Sequence, residues 1–125
     1  MNVISENRFN EFEKELMSRI LEGESLFLKI LREQFSMSSL KKREYTGAGV
    51  FTFFLLPDNA PKVSSPDSFQ FGDAEIEMIG LKHGAGCIVF VKNGLIDFLE
   101  VYSFEEDFPK VVREFKISNI KNEIK

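Results

Sequence analysis

One stretch, GCIVFVKNGLIDFLEVYS at positions 86–103, constrains the fold more than any other part of the chain. Two apolar runs are joined by Asn93-Gly94. Asn and Gly accept the positive φ angles of a type I′ turn, whose twist matches that of a two-stranded ribbon. The spacing predicts a hairpin of residues 87–92 and 95–102. With a two-residue loop, Lys92 pairs with Leu95, Val91 with Ile96, Val89 with Phe98 and Cys87 with Glu100. One face then carries Cys87, Val89, Val91, Ile96, Phe98 and Glu100. The other carries Ile88, Phe90, Leu95, Asp97, Leu99 and Val101. Both are largely apolar, so both are expected to be at least partly covered. Asp97 and Glu100 then stand among hydrophobic neighbours. An unpaired buried carboxylate costs several kcal/mol, so each must be protonated, paired or at the sheet margin.

The segments around this hairpin read as follows. Phe9, Phe12, Leu16 and Ile20 recur at spacings of three and four, which predicts an amphipathic helix over 6–21 with Ser5 as its N-cap and Gly23 as its stop. A second helix is expected over 25–35, with Leu28, Leu31 and Phe35 on one face. From Leu40 the pattern changes to strands, LKKREYT and VFTFFLL, on either side of Gly47-Ala48-Gly49. Residues 57–73 hold three prolines and read as one long loop. Ile76 and Met78 alternate with Glu75 and Glu77, a half-buried strand. Ser103 with Glu106 fits a capping box and Pro109 suits a first helical turn, so a short helix is expected there, with Val111, Val112 and Phe115 on its apolar side. The polar end SNIKNEIK is expected to fray. Helices segregated from strands predict one α+β domain spanning 1–125. Its N-terminal helical hairpin packs on a mainly antiparallel twisted sheet, and a short C-terminal helix closes the chain.

Composition narrows the function. The chain has 125 residues, which suits one domain. Fourteen phenylalanines, with no tryptophan and two tyrosines, favour a large dry core. The net charge of −4 argues against nucleic acid, whose binders present a basic face. The one basic run, Lys41-Lys42-Arg43, is followed at once by Glu44. A single cysteine, Cys87, excludes an internal disulfide and a thiolate metal site, and its apolar setting reads as a buried small hydrophobe. The N-terminus lacks the pattern of a signal peptide. The longest near-continuous apolar run, 50–56, falls far short of the roughly 20 residues a membrane helix needs. A cytoplasmic location, away from membranes, is the expectation.

No motif calls for a cofactor or metal. Gly47-Ala48-Gly49 and Gly84-Ala85-Gly86 lack the lysine and following helix of a phosphate loop, so both read as bends in strands. His83 is the sole histidine, and no G-x-S-x-G elbow surrounds Ser64 or Ser65. The remaining chemical candidates are Glu44 and Glu100, two carboxylates in apolar strands that could form an acid/base pair of the glycosidase type. Arg43 or Arg32 could instead pair with Glu44. Candidate binding residues are Arg43, Glu44, Thr46, Glu100 and Tyr102.

The segments LKILREQF, REYTGAGVFTFF and GLKHGAGCIVFVKNGLIDFLEVYSFEEDFP together resemble a group of small, uncharacterised bacterial proteins. Its pattern has an L-R-x-Q helix end, then R-E-x-T-G-x-G-F-[FY]-T. Later come G-L-x-x-G-A-G-F-x-L-F-[IV]-x-[DN]-G, a strand ending L-E-G-[YF]-[TS]-Y, and Trp-Pro. The match runs from Leu28 to Pro109. Val50, Cys87, Val101 and Phe108 depart from it, mostly by one apolar residue for another. Small proteins of this type are often immunity partners of bacterial toxins. The resemblance brings no established activity. Small size, acidity, the lack of a catalytic motif and the long Pro/Ser loop favour a non-enzymatic protein-binding module. Neutralising a toxin is the role that analogy suggests, and the acidic charge suits a basic toxin domain. Two other readings stand beside it: a small hydrolase or ligand-binding domain built on Glu44 and Glu100, and an oligomerisation module forming a homodimer through its Phe-rich strands.

Overall fold

A computed structural model describes residues 8–64 and 68–123. Two helices, α1 (Glu11–Ile20) and α2 (Leu26–Met37), precede seven strands: β1 (Ser39–Tyr45), β2 (Gly49–Leu55), β3 (Phe69–Phe71), β4 (Asp73–Met78), β5 (Ala85–Lys92), β6 (Leu95–Ser103) and β7 (Phe115–Lys121). The strands form one sheet in the order β1-β2-β6-β5-β4-β7, with β3 alongside β5. Every pair is antiparallel. The architecture is α+β. No helix among the described residues is long and apolar enough to cross a membrane.

The first helix starts later than its periodicity suggests. Asn10 is its N-cap: its Oδ1 accepts from the Glu13 amide at 2.7 Å, and Glu13 Oε1 accepts from the Asn10 amide at 2.9 Å. This reciprocal box satisfies two otherwise free amides and fixes the start at Glu11. The expected cap, Ser5, lies outside the described residues. Ser25 caps α2, accepting from the Leu28 amide at 3.1 Å. Arg32 reaches back to the end of α1 and donates from Nη1 to the carbonyls of Leu21 (2.6 Å) and Gly23 (2.9 Å).

Both helices bury their apolar sides in one core. Phe12, Leu16, Met17 and Ile20 of α1 and Leu28 and Leu31 of α2 cluster with Val50, Val89, Val91, Ile96, Leu99 and Val101 of the sheet. A fully buried side chain of this size contributes roughly 1.5–3 kcal/mol. The few buried polar side chains are all satisfied among the described residues. Gln34 is the clearest case. Its Nε2 donates to the carbonyls of Pro61 (2.7 Å) and Gly94 (2.8 Å), and its Oε1 accepts from the Ile96 amide at 2.9 Å. One side chain thus ties α2 to the 57–63 segment and to the hairpin turn.

The Asn93-Gly94 hairpin forms as expected, with φ of 54° and 81° at the two turn residues. Its register departs from the regular one. Lys92 pairs with Leu95 and Val91 with Ile96, but Phe90 then pairs with Phe98, Val89 with Leu99, Ile88 with Glu100 and Cys87 with Val101. Asp97 is the extra residue of a β-bulge. A one-residue slip exchanges the two faces of a strand. Leu99 and Val101 therefore enter the core, while Phe98 and Glu100 turn to the opposite face. The bulge moves Glu100 from the core side to the half-buried outer face, which lowers the burial cost a regular hairpin would impose on it.

Three other expectations are corrected. Gly47-Ala48-Gly49 is not a kink within one strand: it belongs to the connection that reverses β1 into β2, with the Thr46 amide donating to the Gly49 carbonyl at 2.9 Å. Phe69–Phe71 is a strand, not part of the preceding loop; Phe69 and Phe71 both pack against Phe27 of α2. No helix forms among residues 104–114. Glu105 has φ of 58°, incompatible with a helix, and the Ser103 hydroxyl donates to the Glu106 carbonyl. The polar end instead supplies β7, an edge strand on β4 whose Phe115 meets Phe12 of α1, ring centroids 5.0 Å apart.

Candidate functional site

The helices cover one face of the sheet, and the residues of the opposite face fall into cross-strand rows. Lys42, Phe53, Phe98 and Phe90 form one row across β1, β2, β6 and β5. Glu44, Phe51, Glu100 and Ile88 form the next. Gly49, Tyr102 and Gly86 form the third. Alternation along β2 puts Val50, Thr52 and Phe54 in the core and Phe51, Phe53 and Leu55 outside.

The outward rings touch one another. Phe98 lies 5.3 Å from Phe51, 5.6 Å from Phe53 and 5.1 Å from Phe90, with the last pair stacked. All four remain partly exposed. Such contacts stabilise aromatic pairs by about 0.5–1.5 kcal/mol beyond area burial. They leave an aromatic floor in water, an arrangement typical of interaction surfaces. Charges surround it. Lys42 Nζ stands 4.8 Å from the Phe53 ring centroid and 2.9 Å from Glu44 Oε2. The Glu100 carboxylate, partly buried, has no hydrogen-bond or ion-pair partner among the described residues.

Both Gly-Ala-Gly motifs serve the third row. A Cβ on Gly49 would lie 2.3 Å from the Val101 carbonyl, and one on Gly86 would lie 2.8 Å from the Tyr102 ring. Their absence lets the backbone of β2 close on β6 and lets Tyr102 lie down across β5. Burial, and then the charge of Asp73, raises the Tyr102 pKa above its ordinary value.

The sequence-derived candidates separate accordingly. Glu44 and Glu100 share a face but sit two strands apart with Phe51 between them, their backbones about 10 Å apart. Tyr102 lies on the same face, one row beyond Glu100. Thr46 lies in the β1–β2 connection, its hydroxyl 3.3 Å from the Gly49 carbonyl. Arg43 points the other way, into the core. Its Nε and Nη2 each donate to the Glu13 carboxylate at 2.7 Å, and Thr52 Oγ1 donates to the same group at 2.8 Å. Arg43 therefore braces α1 against β1 and β2.

A second concavity, of about 880 Å³, lies where β4 diverges from β5. Gly84, Gly86, Tyr102, His83, Phe104 and Lys116 line it in part. The Glu106 carboxylate accepts from the amides of Lys82 (2.9 Å) and His83 (2.8 Å), and these bonds hold its pKa below the ordinary carboxylate value. Cys87 faces the core, its Sγ 3.4 Å from the Gly72 carbonyl, and burial pushes its thiol up to about 12. At neutral pH it is no thiolate nucleophile for His83 to activate. Among the described residues no cluster of His, Cys, Asp and Glu is arranged to hold a metal ion.

The aromatic floor was not singled out from sequence. The alternation in VFTFFLL is visible there, but which face stays open depends on where the helices pack and on the bulge at Asp97. Glu13 and Gln34 were also missed, because polar residues in amphipathic helices ordinarily face water. No family model, curated protein or solved structure matches the chain.

Proposed function

We propose that the protein is a non-enzymatic binding module of the cytoplasm. It docks a partner protein onto the open face of its sheet, and that partner is a basic toxin domain which it neutralises. The observation that carries the reading is the contiguous cluster of Phe51, Phe53, Phe90 and Phe98 on the face the helices leave bare. Aromatic rings concentrate binding energy at protein interfaces. The chain as a whole carries a net charge of −4. That sign favours fast association with a basic surface.

The test uses the product of the reading frame beside the gene. Mixed with the purified protein, it should give a one-to-one complex by size exclusion with light scattering. Phe53→Asp and Phe98→Asp should each abolish the complex while keeping the unfolding midpoint within a small shift. A wild-type protein that does not bind this product, or variants that bind it as well as wild type, would overturn the reading. So would a stable homodimer whose interface is this same face.

A further inference from the structure

We infer that Phe51, with Glu44 and Glu100 on either side, is the seat for a cationic side chain of the partner, an arginine or lysine. The inference rests on the docking face proposed above and says what chemistry that face selects. Three observations support it. The row Glu44, Phe51, Glu100 places a phenyl ring between two carboxylates on one exposed face. A cation over such a ring gains from the ring's quadrupole and from the Glu100 carboxylate, while Glu44 on the other side is shared with Lys42. The neighbouring row shows the same chemistry already in use within the chain. Lys42 lies 4.8 Å from the centre of Phe53 and 2.9 Å from Glu44. Phe51 has no such cation among the described residues, and Glu100, across the sheet from Lys42, has none either.

Glu100 is the decisive member. It is partly buried between Phe51 of β2 and Ile88 of β5, so it has lost water without gaining a partner. A docked partner removes the remaining water. A neutral or acidic group placed there would leave the carboxylate stranded, whereas a guanidinium or ammonium group would complete it. The seat therefore acts as a filter as well as an anchor: it admits partners that project a cation from an apolar patch and rejects those that do not.

The probe is the tripeptide amide acetyl-Leu-Arg-Leu, titrated into the isotope-labelled full chain and followed by NMR. Its control carries citrulline in place of arginine, the same shape without the charge. The arginine peptide should shift the resonances of Phe51 and Glu100 and bind on the order of tenfold more tightly than the control. Glu100→Gln should erase that difference, with the resonances of α1 and α2 unchanged as proof of folding. Equal binding of the two peptides, shifts lying away from Phe51, or no shifts at millimolar peptide would each overturn the seat. The two proposals fail separately. If Phe98→Asp abolishes the complex with the adjacent gene product but Glu100→Gln leaves it intact, the docking face stands and the seat falls.

Discussion

Arg43 and Glu13 sit on elements thirty residues apart in the chain, yet among the described residues they form the most buried ion pair. Their side chains are 10% and 4% exposed, and Thr52 and the Asn10 amide fill the remaining acceptor sites of the carboxylate. Removing one partner from such a pair strands a buried charge, which costs about 3–5 kcal/mol. Arg43→Met should therefore lower stability in urea unfolding by that amount. The double variant Glu13→Leu with Arg43→Met should recover much of the loss, because no charge then remains buried. An additive double variant would show that the two residues act independently. Cys87 makes a second prediction at this scale. Its thiol rises from an ordinary 9.0 to about 12 in the folded state. A folded pKa above the unfolded one means stability that is complete below pH 9 and is lost as pH rises toward 12. The difference in urea midpoint between wild type and Cys87→Ala should be constant up to about pH 9 and then shift against wild type.

At the scale of elements, the hairpin shows how far the sequence could be read. Asn93-Gly94 is legible because only a few residue pairs accept two positive φ angles in succession. The bulge is not legible, since Asp97 in a run of alternating residues carries no local sign of being skipped. The clue is energetic: a regular register puts Glu100 in the core, and the observed one leaves it half-buried on the outer face. Deleting Asp97 tests this. The shortened strand should keep Phe90 opposite Phe98 and Val89 opposite Leu99, visible as cross-strand NOEs between those residues. Loss of those pairs would mean that the bulge itself sets the register. The end of the chain misled in the other direction. Ser103 and Glu106 have capping-box spacing, but the hydroxyl binds a carbonyl and the carboxylate serves the amides of Lys82 and His83. The polar tail became β7 because Ile117 faces the core while the residues on either side stay wet. An edge strand tolerates that composition. As for the site, Glu44 and Glu100 were visible as carboxylates in apolar strands. Their true setting, with Phe51 between them, depends on strand order, which no local pattern encodes.

At the scale of the whole molecule, the sheet is dry on the side under the helices and partly wet on the other. That asymmetry leaves the Phe-rich strands with two duties, core on one face and recognition on the other. It also explains why so many phenylalanines serve a chain this short: one set fills the core and a second set paves the open face. The last strand adds a constraint of a different kind. Phe115 of β7 covers Phe12 of α1, and Asn122 donates to the carbonyls of Ile20 and Glu22 at the end of the same helix. Asn122 and Ile20 lie 102 residues apart. Ribosomes add roughly 5–20 residues each second. The first helix thus waits on the order of 5–20 s, at that rate, for the strand that shelters it. During that interval Phe12 lacks the Phe115 ring, and the carbonyls of Ile20 and Glu22 lack the Asn122 amide, that cover them in the finished protein.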